Sequence, residues 1–167
     1  LVPLLYASSS RLEDQAAEQH ALGLLGTLSP TYESWWRAEL AQRQEFLDAE
    51  RRAPGELLLA KQVRALRALF DAGGVLLPGS GAPQPWLSPG VALQRELAAW
   101  VRAGLAPGTV LALATRGAAA ALGLAGQRGT LEAGAFADLL VLDGDPTLDL
   151  APLADPAWVL VRGRALA

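Results

Sequence analysis

Gly129-Thr-Leu-Glu-Ala-Gly-Ala-Phe-Ala-Asp-Leu-Leu-Val-Leu-Asp-Gly-Asp-Pro146, followed by Trp158-Val-Leu-Val-Arg-Gly-Arg164, is the stretch whose reading decides the fold. Ala137–Leu142 and Ala157–Arg162 are apolar runs of strand length, and Asp143-Gly-Asp-Pro146 after the first has the residues of a turn. No good helix separates the two runs. They therefore read as a small antiparallel β-unit appended to whatever precedes it.

Upstream the character is different. Gly74-Val-Leu-Leu-Pro-Gly-Ser-Gly-Ala-Pro83 reads as a buried strand and a turn, with helices expected over Leu93–Gly104 and Pro107–Leu122. Leu59, Val63, Leu66, Leu69 and Phe70 recur at the period of an amphipathic helix over Leu57–Ala72, closed by Gly73-Gly74. Tyr32 to Arg52 is charged and helix-favouring, and Pro54-Gly55 is expected to stop it, with Arg51-Arg52 at its solvated end. Ser10 can cap a helix from Arg11 to about Leu22, with Glu13 as its capping-box partner. Strands are expected near residues 3–7, 23–28 and 75–79. Strands alternating with helices in this order indicate a parallel sheet with helices packed outside.

The 167 residues suffice for a real core, and 51% of them are hydrophobic. The net charge is −3 with scattered basic residues, which argues against a nucleic-acid partner. With no Cys and a single His, thiolate metal sites and disulfides are excluded. The uncharged stretch Ala72–Gln94 is broken by Pro78, Pro83, Pro85 and Pro89, so turns rather than a membrane span are expected. The chain reads as soluble, and cytoplasmic rather than secreted. It begins at Leu1, contains no Met and shows no signal-peptide start, so it reads as a piece of a longer protein.

Four segments in order resemble the C-terminal end of the amidohydrolase superfamily, in its imidazolonepropionase- and prolidase-like branch. They are Gly90-Val-Ala-Leu-Gln-Arg-Glu-Leu97, Gly104-Leu-Ala-Pro-Gly-Thr-Val-Leu-Ala-Leu-Ala-Thr115, the Gly129–Pro146 hairpin, and Val161-Arg-Gly163. The resemblance is firm over Gly74–Ala167 and weaker before it. It implies an α/β fold: the C-terminal portion of a TIM-type (β/α)8 barrel over residues 1–125, then the C-terminal strands of a small β-sandwich over 126–167. It also implies hydrolysis of carbon–nitrogen bonds other than peptide bonds, assisted by a divalent, zinc-like metal.

The departures from the family pattern carry the functional expectation. The last barrel strand of the family ends in a Gly-Thr-Asp-Ala-Pro-like motif whose Asp binds metal and takes a proton. Gly81 stands at that position here, and glycine can do neither. Ser80 beside it is no substitute, because an unactivated hydroxyl is a poor base. Tyr6 falls where the family commonly has a metal-binding His, and a phenol is a poor ligand for such a site. Tyr6, Ser80 and Trp86 are the substrate-pocket candidates, Gly81 is the vacant catalytic position, and no metal ligand is assigned. The chain is expected to be impaired or inactive as a catalyst. The alternative is a degenerate homologue that binds a ligand or partner or serves as a structural subunit. Either reading expects a companion, namely a missing N-terminal half, a second chain or a homo-oligomer.

The remaining candidates have plainer readings. His20 reads as a helix-surface residue rather than a ligand. Asp138 reads as a structural carboxylate of the β-unit, and Asp143 and Asp145 as turn residues rather than calcium ligands. Tyr32, Trp35 and Trp36 fit either a substrate-facing lid or packing against another part of the molecule, and both stay open.

Overall fold

The computed structural model describes residues 4, 5, 23, 28–44, 49–82, 84 and 87–166. Helix α1 runs over Pro30–Gln44 and α2 over Ala49–Asp71. Helix α3 spans Val91–Arg102. Helix α4, Pro107–Ala112, passes through a π-helical turn at Leu113–Gly117 into α5, Ala118–Ala121. A three-stranded sheet comes next: β1 Leu139–Val141, β2 Trp158–Val161 and β3 Arg164–Leu166, with one 3-10 turn at Ala151–Ala154 between β1 and β2.

The core collects Leu66 of α2, Leu76, Leu97, Ala99 and Trp100 of α3, Leu105, Val110 of α4, and Leu5. In α2, Leu59, Val63 and Phe70 pack against this core as their helical spacing predicts, while Leu69 is 39% exposed. In α3, Ala92, Glu96, Leu97, Ala99 and Trp100 form the buried face. Its end is a Schellman closure: the Gly104 N–H donates to the Val101 carbonyl and the Leu105 N–H to that of Trp100. Gly104 sits at φ +97, and its carbonyl accepts a 2.6 Å bond from the Arg67 guanidinium of α2. The end of α3 is thereby tied to α2.

Several expectations are corrected. Pro54-Gly55 does not stop a helix: Pro54 lies inside α2, Ala49–Asp71. A proline one turn from a helix start removes a single i→i−4 bond, and the seventeen residues beyond it, up to Asp71, carry the buried face. Arg51-Arg52 accordingly lies near the start of α2, not at the C-terminal end of a helix. Residues 75–79 have no assigned strand, although Leu76 is buried as a barrel strand's residue would be. Leu4 and Leu5 are not a strand either, with Leu4 at φ +50 and Leu5 helical. The sheet present among the described residues is antiparallel rather than parallel. Parallel ladders join strands that are distant in sequence, so they form only where each strand's neighbours are in place. Apart from Gly23 and Leu28, residues 6–28 lie outside the described residues, and with them the expected strand at 23–28 and the helix at Arg11–Leu22.

The C-terminal unit matches its sequence reading and adds a strand to it. β1 and β2 pair antiparallel with Leu140 opposite Val159, and β2 and β3 with Leu160 opposite Ala165. The β2–β3 loop is two residues, Arg162 at φ +51 and Gly163 at φ +77, the left-handed pair of a type I′ hairpin. The unit returns to the helices where the Gly108 N–H bonds the Thr147 carbonyl at 3.1 Å and the Gln94 amide bonds that of Leu153 at 2.9 Å.

Gly129 links the π-helical turn to the loop before β1. At φ +82, a Cβ there would stand 2.7 Å from the Thr115 carbonyl oxygen. Gly123, at φ +72, has nothing within 4 Å of the same position. Gly123→Ala therefore carries only the left-handed penalty, about 1 kcal/mol. Gly129→Ala adds a backbone clash and is expected to destabilise by at least twice that. Paired denaturant titrations of the two variants measure the difference.

Candidate functional site

The site is built on the turn Gly79–Ala82, a short step beyond Leu76. Ser80 Oγ accepts the Ala82 N–H at 3.2 Å, a local closure that occupies the hydroxyl. Gly81 takes φ +67, and a Cβ there would meet Leu4 Cδ1 at 3.3 Å and Gln84 Nε2 at 3.7 Å. Under the turn, Leu87 and Ala92 form a small cluster with Leu4 and Ala82. Position 81 thus faces an apolar side chain at close range, in a conformation that favours glycine.

The helix below carries a residue that sequence reasoning passed over. Glu96 has no exposed surface. Its Oε1 accepts the Leu5 N–H at 2.8 Å and the Trp100 indole N–H at 2.7 Å. A signal was available: residues 92, 96 and 100 share one stripe of the helix, and the other two are apolar. A glutamate in such a stripe is buried with partners or not at all.

Of the named candidates, Ser80 and Gly81 meet in this turn. Tyr6, Trp86 and His20 lie outside the described residues. Trp36 is fully buried and Trp35 is 45% exposed, with Tyr32 edge-on to both at 5.6 and 6.2 Å between ring centres. That makes Trp36 a packing residue. A cleft of about 640 Å³ lies elsewhere, between α3 and residues 148–154, lined among others by Val91, Arg95, Ala98, Arg102 and Leu150.

Asp138 is a structural carboxylate. Oδ1 accepts the Arg162 N–H at 2.8 Å, holding the left-handed arginine of the hairpin, and Oδ2 pairs with the Arg128 guanidinium. Asp145 is a turn residue: its Oδ1 accepts both the hydroxyl and the N–H of Thr147, at 2.6 and 2.8 Å. Among the described residues no three His, Cys, Asp or Glu converge as metal ligands. The turn therefore does not fit a divalent ion by itself: Ser80 offers one neutral hydroxyl and position 81 has no side chain.

The sequence matches the amidohydrolase family over residues 6–164. The chain belongs to that family. A bottromycin amidohydrolase is 27% identical to it, with a TM-score of 0.77 over 99% of this chain and 36% of its own. A candidate prolidase from Bifidobacterium longum is 31% identical, with a TM-score of 0.62 over 75% of this chain and 31% of its own. A prolidase solved with N-methylphosphonate-L-proline is 28% identical, with a TM-score of 0.52 over 78% of this chain and 32% of its own. No curated protein matches the chain. The chain thus spans about a third of the length of these solved amidohydrolase relatives. Its fold class is the C-terminal portion of a TIM-type barrel with a small antiparallel sheet at its end. The family generally uses a divalent metal. Among the described residues no helix is long and apolar enough to cross a membrane.

The Thr147 hydroxyl, then the Thr147 N–H, holds the Asp145 carboxyl below its ordinary value, against a small opposing effect of burial. A folded value below the unfolded one contributes stability above the unfolded pKa, near 3.9, and loses it as pH falls through the folded one. Thr147→Val removes the hydroxyl. The expected outcome is an Asp145 titration, followed by carboxyl NMR, that moves up toward the unfolded value in this variant.

Proposed function

We propose that the chain is the C-terminal part of an amidohydrolase-type hydrolase for carbon–nitrogen bonds other than peptide bonds, catalytically impaired or inactive as it stands. The observation that carries this reading is the Gly79–Ala82 turn. It ends the segment that comes after α2, where the family keeps its proton-shuttling carboxylate. Here Gly81 is left-handed, has no side chain and lies against Leu4. Without a carboxylate, the attacking water of such a reaction has no base at this position. The candidate prolidase and the complex with N-methylphosphonate-L-proline favour the prolidase-like branch and a small substrate with an amide or amide-like bond. Any metal would take ligands from outside the described residues.

The same turn favours a second reading, a homologue that has kept the pocket and binds a ligand or partner without turning it over. Both readings place barrel elements at 1–125 and sandwich strands at 126–167. Both also require completion by an N-terminal half or companion chain, or by a homo-oligomer. Leu140, Trp158 and Leu166 of the sheet, 51%, 59% and 57% exposed, support that requirement.

Metal content by elemental mass spectrometry, with hydrolysis of small amides and lactams, tests the first reading on the native assembly. Reconstitution with Zn²⁺ or Mn²⁺ is expected to leave turnover at least ~10²-fold below that of Gly81→Asp, the usual scale of a missing general base. Equal rates in the two proteins would overturn the impairment. No turnover and no retained metal in either protein would favour the ligand-binding reading. Light scattering of the isolated chain is expected to show association, and a monodisperse monomer would count against the need for completion.

A further inference from the structure

Leu4 is a leucine at φ +50. A branched, bulky side chain rarely adopts the left-handed region, and such strain persists only where the surroundings over-determine it. The next peptide N–H in the chain, that of Leu5, donates to the buried Glu96 carboxylate at 2.8 Å. Leu5 and Leu4 also divide between two apolar clusters. Leu5 is 1% exposed in the main core, and Leu4 packs with Leu87, Ala92 and Ala82 beneath the turn. The Leu4 side chain then meets the one face of Gly81 where a Cβ would project, at 3.3 Å.

We infer that Glu96 is a positioning residue for the Gly79–Ala82 turn. From α3, its carboxylate pins the Leu4–Leu5 peptide, holds Leu4 left-handed and so seats the Leu4 side chain against Gly81. The same Oε1 accepts the Trp100 indole N–H, which fixes the carboxylate to its own helix one turn further on. The chain of contacts is short: Trp100 orients Glu96, Glu96 orients Leu5, and Leu4 sets the shape of the space over the turn. The ligand class is that of the prolidase-like reading above, on which this inference rests. Glu96 thereby decides how closely the Leu4 side chain approaches Gly81.

The test uses the native protein and reads the turn itself. Glu96→Gln keeps the shape and exchanges the carboxylate for a neutral amide, a weaker acceptor. The Gly81 and Ala82 amide resonances are expected to shift, and Leu5 amide exchange to rise at least about tenfold, the scale of weakening its one hydrogen bond to the carboxylate. Leu105→Ala, in the same core but outside the Glu96–Leu5 and Leu4–Gly81 contacts, is expected to lower the melting temperature and leave those resonances in place. Glu96→Leu is read in the same way where it folds. Unchanged Gly81 and Ala82 resonances in Glu96→Gln, with only the Trp100 indole signal moving, would overturn the inference and leave Glu96 a core carboxylate. Calorimetric binding of N-methylphosphonate-L-proline is measured separately. If the wild type fails to bind it, the prolidase-like reading falls, while the amide resonances still decide the role of Glu96.

Discussion

A carboxylate with no exposed surface, that of Glu96, is the constraint on which the helical part of the molecule depends. Taking an ion out of water costs several kcal/mol unless hydrogen bonds replace its hydration. Here they come from the Leu5 backbone and the Trp100 indole. Removing the carboxylate would also strand these two buried donors, so the arrangement is stable only as a whole. Trp100 is itself fully buried in the core that also holds Leu66 of α2 and Val110 of α4. The orientation of α3 about its axis therefore follows from where Glu96 must point. The Arg67–Gly104 bond then fixes its end against α2, and the Gln94–Leu153 bond fixes the C-terminal segment against it.

The C-terminal unit is held by a different balance. Its strands are three or four residues long and carry apolar side chains on both faces, many of them half exposed. Such a sheet has too little buried area to stand by packing alone. Polar staples supply part of the difference. Asp138 bridges the β2–β3 hairpin and Arg128, and the Phe136 ring lies 4.7 Å from the Arg128 guanidinium and 5.5 Å from that of Arg162. One aromatic ring thereby serves two cations, of which the Arg128 guanidinium is also paired with the Asp138 carboxylate.

The parts of the fold legible in the sequence are those whose determinants are local. The helices at 91–102 and 107–121, the β1 and β2 runs and the turn at Asp143–Pro146 follow from periodicity and turn chemistry over a dozen residues or fewer. Pro54 misled because proline is a strong local signal whose effect depends on its distance from a helix start, and that start is set by distant packing. The strand at 75–79 misled for a related reason. Its apolar run correctly reports burial, seen at Leu76, but a parallel ladder is a property of neighbours and not of the run. For the site, the family pattern singled out position 81 and the Ser80 hydroxyl beside it. The Gly90–Leu97 match contains Glu96 but gives it no role, because its importance lies in a partner ninety-one residues away, and nothing in the pattern points to Leu4, whose left-handed backbone no composition reveals.

The π-helical turn at Leu113–Gly117 changes what one helical wheel can say about residues 107–121. In an unbroken α-helix, Val110 and Ala119 are nine residues apart and would project about 180° from each other, since each residue turns the chain by about 100°. One face could not bury both. A π turn absorbs one extra residue into its loop, so the count that matters is eight, and the two side chains fall only about 80° apart. Both are in fact buried. The widened turn acts as a phase shift, setting the second half of the helix back by one residue so that a small alanine faces inward where a regular helix would present its outer side. Deleting a single residue between 113 and 117 would restore α-helical geometry, and it would keep the buried face continuous.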